Sequence, residues 1–380
     1  MDLFKFNPGA DPSFLTNGEA LNKIKTVQWV ERYRDPGEFE ITAGVSSNLR
    51  TILPLGTMIS HLDTYEVMMV ESINIKDDTD GEEPKITIRG RSLESYLKHR
   101  IVGDDLETYI DIGTGYHLML TNEPYTLPFG TSWEQIKYMI DQHITSLFYG
   151  PTGDVVAGFI AIENQQHIGS STAQERTMRK QNLHSAVLEL LAVDDFGIQT
   201  VRPNPDNVDP TTTEFRIHNG NDLRNSVIFS YSFGDLEKSE YFWSDAALKT
   251  DYLCVSNYYA LRSDYATTGY NRRVMYVDCS DIDEMYDDTE VVDGAISLAI
   301  NAAMDVRGQQ ALRAQVLANL LSTDVSRRTR YKFKKHYDVG DLVTVQGNYD
   351  VETVMRIAEH VVFQDENGES GYPTLAALNE

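Results

Sequence analysis

The residues best suited to binding or chemistry form a basic run near the carboxyl end of the chain. Residues 327–335 read RRTRYKFKK, in a chain whose formal net charge is −25. Successive side chains of a strand point to opposite faces, so this spacing predicts one basic face and one aromatic face. The basic face would carry Arg328, Arg330, Lys332 and Lys334. Tyr331 and Phe333 would take the other face, which we expect to point inward.

Three kinds of partner fit such a basic face. Carboxylates on an adjacent strand of the same chain would pair with it, and so would an acidic face of a neighbouring subunit. DNA is the third, and the least favoured, because so acidic a chain repels phosphates. The first two stay open, and we treat the four cations as candidate intersubunit contacts.

A second charged cluster is acidic. Carboxylates this close together could bind calcium, which takes oxygen ligands, but the cluster lacks the glycine and the spacing of an EF-hand loop. We therefore expect a solvated acidic loop. Its members are Asp281, Asp283, Glu284, Asp287, Asp288, Glu290 and Asp293.

Motifs of the common catalytic classes do not occur in the sequence. It has no HExxH helix, P-loop or GxSxG turn. The segment that begins at Asp111 fails the GxGxxG phosphate fingerprint, because Leu118 replaces the third glycine. The nine histidines are scattered, and the two cysteines, Cys254 and Cys279, form no CxxC pair. We predict buried free thiols, no catalytic, metal or cofactor site, and no enzymatic activity.

Length and composition limit the class of protein. A chain of 380 residues exceeds the usual size of a single core, so we expect two or three domains. No stretch approaches the ~18 consecutive apolar residues that a membrane span requires, and the amino terminus lacks the pattern of a signal peptide. We therefore expect assembly in a cytoplasm. The acidity either serves solubility or provides a surface past which DNA slides.

Strand patterns dominate the first part of the chain, which we define as a domain at residues 1–105. Alternation of apolar and polar residues predicts strands at residues 37–43, 65–75 and 86–90. A short helix follows at residues 92–99.

The middle part, residues 106–225, mixes helices and strands. Ser132 and Gln135 have the spacing of a capping box at the start of a helix. We predict a loop at 150–179, a second helix at 183–191, and strands at 196–202 and 214–218.

Residues 226–380 form the third predicted part. Strands are expected first, then a helix near 309–321 with Leu312, Val316 and Leu320 at core spacing, then further strands. Because helices and strands are segregated, the fold class is α+β. The predicted strands span residues 227–233, 252–255, 327–335, 341–346 and 354–363.

An internal repeat links the two ends of the chain. Gly56 and Gly340 are each followed by two apolar residues, and Glu71 and Glu359 come fifteen and nineteen residues later. Each of the two long strands then meets an acidic turn, at 77–81 or 365–368. Hairpins resemble one another when only apolar periodicity is compared, so chance similarity is the alternative. A true duplication would give two related β-domains with a different domain inserted between them.

Several segments resemble the ReqiPepy-type tail protein family of siphophages. Their order and spacing cover nearly the whole chain. They are residues 29–33, 36–41, 70–73, 88–93, 97–100, 337–345 and 371–374.

This resemblance implies a tail hub similar to the central hub proteins of phage baseplates. Such a hub has two related β-barrel-like domains in each subunit, so that a homotrimer presents a ring of six to the tail tube. The expected location is the tail tip of the virion, and assembly would take place in the host cytoplasm. The expected partners are the distal tail protein ring, the tape measure protein and a tail fibre or central tip protein, with DNA only in transit and no membrane segment.

Two other functions stay open at this point. A tail-tip adhesin or carbohydrate-binding module would use some of the twenty-one tyrosines and three tryptophans. A cell-wall hydrolase would need a pair of carboxylates, but no lytic domain is expected, because the chain stops just after residue 374.

Overall fold

The fold is known from a computed structural model. It describes residues 3–6, 21, 23–45, 48–61, 64–76, 84–102, 109–111, 117–119, 125–145, 160–162, 173–178, 181–202, 213–243, 249–263, 272–283, 294–315, 319–348 and 351–378.

One ten-stranded sheet runs through the molecule and joins the two ends of the chain. Its path order is β1-β4-β5-β6-β3-β2-β21-β20-β14, and β22 pairs with β21 beside that path. Its strands are β1 (Leu3–Phe6), β2 (Thr26–Arg32), β3 (Glu38–Gly44), β4 (Met58–His61), β5 (Val67–Lys76), β6 (Lys85–Ser92), β14 (Ile228–Ser230), β20 (Leu342–Gln346), β21 (Glu352–Asp365) and β22 (Gly368–Ala377).

The remaining strands form smaller sheets, ordered β10-β13-β12, β11-β9, β15-β19, β17-β16-β18 and β7-β8. They are β7 (Tyr109–Asp111), β8 (His117–Met119), β9 (Tyr125–Gly130), β10 (Ile160–Ile162), β11 (Gln174–Met178), β12 (Gly197–Val201), β13 (Thr213–His218), β15 (Leu236–Trp243), β16 (Asp251–Val255), β17 (Ala260–Arg262), β18 (Val274–Asp278) and β19 (Asn319–Val325). The α-helices are α1 (Leu49–Ile52), α2 (Ser132–Ile140), α3 (Leu183–Val193), α4 (Ser280–Asp283) and α5 (Gly294–Gln315).

Alternation of side chains explains the large sheet. Phe39, Ile41 and Ala43 of β3 and Ile86 and Ile88 of β6 all point into one core. The residues between them face outward, as expected for a strand with one buried face. The strands predicted at residues 37–43, 65–75 and 86–90 are therefore confirmed, and the short helix after them is a 3₁₀ helix at Leu93–His99.

The outer face of this sheet carries a row of charges of alternating sign. Glu359, Arg32, Glu38, Arg91 and Glu71 lie on five successive strands, β21, β2, β3, β6 and β5. The Arg32 guanidinium donates to Glu359 at 3.0 Å and to Glu38 at 2.6 Å, and that of Arg91 donates to Glu71 at 2.7 Å. Opposite charges on neighbouring strands stabilise their pairing, so these groups satisfy one another.

The two hairpins predicted as a repeat share their backbone geometry. Gly56 and Gly340 both have positive φ, +79° and +93°. The N–H of Gly56 donates to the carbonyl of Val70 at 2.8 Å, and the N–H of Gly340 donates to that of Ile357 at 2.7 Å. Val70 and Ile357 each return a bond to the residue after the glycine.

Both hairpins also contain a bulge at the same place. The pairing register shifts between Val70 and Ser72 in one hairpin and between Ile357 and Glu359 in the other. Glu71 therefore corresponds to Ala358. The match of Glu71 with Glu359 predicted from the sequence is wrong by one residue. The acidic turn at 365–368 is confirmed as the β21–β22 connection, whereas the turn at 77–81 lies outside the described residues.

Helices α2 and α3 pack together in the middle part of the chain, and the core there includes Trp133, Ile136, Leu190 and Phe215. The helix predicted at 183–191 and the strands at 196–202 and 214–218 are confirmed. The loop predicted at 150–179 is wrong in part, because 160–162 and 174–178 are strands.

The capping box of α2 is one residue earlier than predicted. The cap is Thr131, whose hydroxyl accepts from the Glu134 N–H, while the Glu134 carboxylate accepts from the Thr131 N–H at 2.8 Å. Ser132 instead donates to Asp194, and Gln135 bonds to backbone carbonyls of neighbouring strands. Thr131 with Glu134 and Ser132 with Gln135 both have the spacing of a capping box. The contacts of Ser132 and Gln135 with other parts of the fold leave the capping role to Thr131 and Glu134.

Three predictions for the last third of the chain are corrected. The helix expected at 309–321 is α5, which ends at Gln315, and residues 319–325 are a strand paired with β15. The strand expected at 227–233 covers only 228–230. Residues 327–335 form turns rather than a strand.

The architecture is mixed α+β and rich in strands, which confirms the α+β part of the prediction. None of the helices in the described ranges combines the length and the hydropathy that crossing a bilayer requires.

The two matched glycines give a paired prediction. Gly56→Ala should lower the free energy of unfolding by about 1 kcal/mol, because only the left-handed backbone penalises the new methyl group. A β-carbon at Gly56 meets nothing, whereas one at Gly340 clashes with the Tyr33 ring. Gly340→Ala should therefore cost clearly more than Gly56→Ala in urea denaturation. Equal losses in the two variants would contradict the tight packing at Gly340.

Candidate interaction site

The basic segment folds as a series of tight turns. The N–H of His336 donates to the Lys332 carbonyl at 2.8 Å, and that of Lys334 donates to the Tyr337 carbonyl at 2.8 Å. Lys334 has a φ of +58°. These local bonds use the backbone groups that a strand would offer to a neighbour. The four predicted cations therefore do not share one face.

Lys334 points into the protein. Its ammonium lies 3.3 Å from the Glu31 carboxylate and 2.8 Å from that of Asp338. The Lys334 side chain is 23% exposed, and that of Glu31 is 2% exposed. Lys334 thus pairs with carboxylates of its own chain, which was the alternative to an intersubunit contact.

Arg330 is held partly by aromatic rings. Its guanidinium lies 4.5 Å from the centroid of Phe233 and 4.9 Å from that of Tyr331. It also donates to the Ile228 carbonyl at 3.2 Å and lies 3.6 Å from the buried carboxylate of Asp235. The inward position expected for Tyr331 is confirmed, since it packs against the core around Phe229.

Arg328 and Lys332 remain exposed. Within the described part of the chain neither side chain makes an ion pair. Arg327 lies nearby with its guanidinium 5.5 Å from the ring centroid of Tyr372. We call Arg328 and Lys332 the outer basic pair, which is the part of the predicted face that is available to a partner.

Beneath the turns lies a cluster of buried carboxylates. Trp29 donates through Nε1 to Glu31 at 3.2 Å. Burial, together with the nearby charges of Glu31 and Glu94, raises the pKa of Glu66 well above its ordinary value. Burial raises the pKa of Glu94 to about 7. Burial opposes the charge of Lys334, but Glu31 and Asp338 prevail and raise its pKa.

Aromatic groups close the cluster on one side. The His360 ring stacks on Phe333 with centroids 3.9 Å apart, and its Nδ1 lies 3.3 Å from the Tyr337 hydroxyl. Burial, and then the charge of Lys334, lowers the pKa of His360 to about 3. The ring is therefore neutral at physiological pH. The arrangement holds one lysine and several carboxylates in a site with little access to water.

Tyr33 joins three parts of the chain beside this cluster. Its hydroxyl donates to the Asp195 carbonyl at 2.6 Å, and its ring lies 4.8 Å from the guanidinium of Arg356. Arg356 in turn pairs with the Asp195 carboxylate. Gly197 and Gly340 both pack directly against the ring. Strand β2, the middle part of the chain and the Gly340 hairpin thus meet at one side chain.

A surface cleft of about 820 Å³ opens at this junction. Its walls come from α3, from the end of β2 and from the last residues of β22. Its lining combines three arginines, four acidic residues and several apolar residues. The lining includes Arg32, Arg34, Arg356, Leu188, Ala192 and Ala377.

Sequence patterns predicted Lys334 as a cation of interest but missed its partner. Trp29 and Glu31 of β2 and Tyr33 directly after it have the same parity, so they share a face. A glutamate between two large aromatic residues on a buried face is the signal that could have revealed Glu31. Glu66 and Asp338 came together only through the tertiary fold.

The next features are the possible metal ligands and the two cysteines. Within the described residues, no group of three or more histidine, cysteine or acidic side chains could hold a metal ion. Most of the acidic stretch 281–293, where calcium binding was the alternative to a solvated loop, lies outside those residues. Cys254 and Cys279 are buried free thiols, as predicted.

The sequence matches the model of one protein family. The sequence model of the family described as Siphovirus ReqiPepy6 Gp37-like protein matches residues 10–108 and 139–373. A comparison with curated proteins found no match.

Solved structures share the fold at low sequence identity. The chain is similar to a 43 kDa tail protein of prophage MuSo2 from Shewanella oneidensis, with a TM-score of 0.55 and 10% identity over 100% of this chain and 98% of that one. It is also similar to a tail protein from Neisseria meningitidis MC58, with a TM-score of 0.51 and 11% identity over 98% of this chain and 96% of that one.

The Lys334–Glu31 pair gives a stability prediction. Lys334→Met should lower the free energy of unfolding by about 3 kcal/mol, because it leaves the buried Glu31 carboxylate without a counter-charge. Lys335→Met is the matched control and should cost less than about 0.5 kcal/mol, since Lys335 is exposed. Adding Glu31→Gln to Lys334→Met should recover much of the loss. Similar values for the two lysine variants in urea denaturation would refute the pairing.

Glu94 gives a prediction on pH dependence. Its carboxyl keeps a proton up to a pKa of about 7 in the folded chain, whereas the unfolded chain releases it near the ordinary value. Wild-type stability should therefore fall as pH rises from about 4.5 to 7. Glu94→Gln should remove about 3 kcal/mol of that fall, while Glu175→Gln, at an exposed position, should leave it unchanged. An unaltered pH profile for Glu94→Gln in thermal denaturation would count against the raised pKa.

Proposed function

The chain belongs to the Siphovirus ReqiPepy6 Gp37-like protein family, and from this premise we propose that it is a structural hub of a phage tail. In this role it closes the distal end of the tail tube and forms the ring through which the tape measure protein and DNA pass. Its fold is that of phage tail proteins.

The single observation that carries the proposal is the geometry shared by the two hairpins. Each has a glycine with positive φ, the same reciprocal backbone bonds and a bulge directly after them. Agreement at three independent points favours duplication over chance. Each subunit then has two related β-barrel-like domains, at 1–105 and 226–380, with the domain at 106–225 inserted between them.

Duplication gives a reason for a trimer. A tail tube of sixfold symmetry meets a ring most regularly when the ring also offers six equivalent positions. Three subunits with two related domains each supply those six positions. We therefore assign the protein to the tail tip of the virion as a homotrimer, assembled in the host cytoplasm.

The partners follow from this position. The ring contacts the distal tail protein on one side and a tail fibre or central tip protein on the other, with the tape measure protein seated in its channel. The net charge of −25 keeps DNA from adhering while it passes. The protein acts through its interfaces and not through a reaction centre.

The outer basic pair is the intersubunit contact in this proposal. Arg328 and Lys332 are exposed cations in an acidic chain, so any identical neighbour offers carboxylates. Arg330 contributes less, because its guanidinium already contacts rings and Asp235. Lys334 takes no part, because it is paired inside the subunit.

Light scattering on the purified chain tests the proposal. The expected mass is three times the 43.0 kDa of the chain, and negative-stain images should show threefold rings. Arg328→Glu with Lys332→Glu should shift the equilibrium toward monomer. Because salt screens exposed charges, high salt should weaken the wild-type trimer and reduce the difference between the wild type and the double variant.

Arg50→Glu with Lys76→Glu is the matched control, because it makes the same change in charge at exposed positions elsewhere. A monomer at every accessible concentration would contradict the trimer. A trimer that tolerates the first double variant as well as the control would contradict the role of the outer basic pair.

A further inference from the structure

Helix α5 and the three-stranded sheet β17-β16-β18 form a two-layer unit, which we call the α5 module. Ile300 and Met304 of the helix pack with the inner face of the sheet in one small core. The only two cysteines of the chain belong to this core. Cys254 lies on β16 and Cys279 directly follows β18, and both residues are 0% exposed.

Strand pairing places the two cysteines side by side. Strands β16 and β18 are parallel, and Cys254 pairs in register with Val277. Cys279 lies two residues beyond Val277, so it points to the same face of the sheet as Val277 and Cys254. The N–H of Cys279 donates to the Val255 carbonyl at 2.8 Å. This bond holds the chain against β16 as far as Cys279.

The two thiols are in direct contact. The Cys254 thiol is hydrogen-bonded to that of Cys279, and it also donates to the Met304 carbonyl at 3.1 Å. Two cysteines whose side chains point apart cannot be bridged without a movement of the backbone. Here both side chains point to one face and their sulfur atoms already meet, which is the orientation that a disulfide requires.

We propose that Cys254 and Cys279 are a disulfide-forming site, at which a peroxide oxidises the two thiols to one intramolecular disulfide. One thiol, as the thiolate, attacks a peroxide oxygen and becomes a sulfenic acid, while the O–O bond breaks and one water is released. The other thiol then attacks the sulfenic sulfur, the S–S bond forms and a second water is released. The protein loses two protons and two electrons, and hydrogen peroxide is reduced to two molecules of water.

Burial makes this oxidation slow. Burial, followed by the charge and the hydrogen bond of Cys279, raises the pKa of the Cys254 thiol to about 12, and the thiolate is the reactive form. The oxidant reaches the sulfurs only when the small core opens locally. The pair therefore stays reduced in a cytoplasm, which keeps thiols reduced, and is oxidised during a longer period outside the cell. This timing rests on the proposed place in the virion, whereas the site itself does not.

The disulfide strengthens the α5 module. In the described part of the chain its core has only seven buried residues, and a small core gains stability from a covalent link. The bond between residues 254 and 279 closes a loop that contains β17 and β18, which removes conformations from the unfolded chain. Oxidation should therefore lower the equilibrium constant for unfolding of the module roughly a hundredfold.

Thiol counting on the whole chain tests the site. The purified protein is freed of reductant, treated with a small excess of hydrogen peroxide, denatured and labelled with a maleimide, and its mass gives the number of free thiols. The wild type should lose both thiols together. A non-reducing digest should contain the peptides of Cys254 and Cys279 joined to each other, and a reducing agent should separate them.

Cys254→Ser and Cys279→Ser are the matched controls, because each keeps one buried thiol and removes its partner. The remaining thiol of each variant should be lost several-fold more slowly than the pair in the wild type. In urea denaturation the oxidised wild type should have a higher midpoint than the reduced protein. Neither variant should show that rise after the same treatment, and any oxidation of methionine is common to all three proteins.

Two results would overturn the proposal. One is loss of the wild-type thiols at the rates of the single variants without a joined pair of peptides. The other is a disulfide that forms only in urea that unfolds the chain, because the fold would then not bring the sulfurs together. Neither result depends on the oligomeric state, so light scattering tests the hub proposal separately.

Discussion

A buried negative charge governs the centre of this fold. Glu31 lies inside the protein on β2, and Lys334, 3.3 Å away, is its counter-charge. A carboxylate in such a place is unfavourable without a partner. The segment around Lys334 must therefore fold back over β2, and this requirement accounts for its tight turns and for the left-handed backbone at Lys334. Asp338, Tyr337 and Phe333 take their places as a consequence.

The same junction ties the parts of the chain to one another. Tyr33 follows Glu31 on the same face and bonds to the Asp195 backbone, while Gly197 and Gly340 give its ring the space it needs. The middle part of the chain therefore meets the amino-terminal strands and the Gly340 hairpin at one point.

Local patterns predicted much of this fold, and their failures have a common cause. The alternation in β3 and the amphipathic spacing in α3 were sufficient to predict a strand and a helix, because each of these elements has one buried face. Residues 327–335 also alternate, but local turn bonds and distant carboxylates, Asp235 at one end and Glu31 at the other, hold them in turns. The apolar spacing at 309–321 fitted a helix, yet its last three residues, 319–321, pair with β15, some eighty residues earlier in the chain. Of the four predicted contact residues, sequence could not tell that Lys334 points inward.

Strand pairing between β2 and β21 has a mechanical consequence. Residues 27–32 pair in register with residues 359–364, so the two ends of the chain lie side by side in one sheet. The hydrogen bonds of an antiparallel pair run perpendicular to the strands. Tension along the strands loads all of these bonds at once in shear, whereas tension across them would open the pair one bond at a time. The seam is therefore strongest against a pull along the two strands.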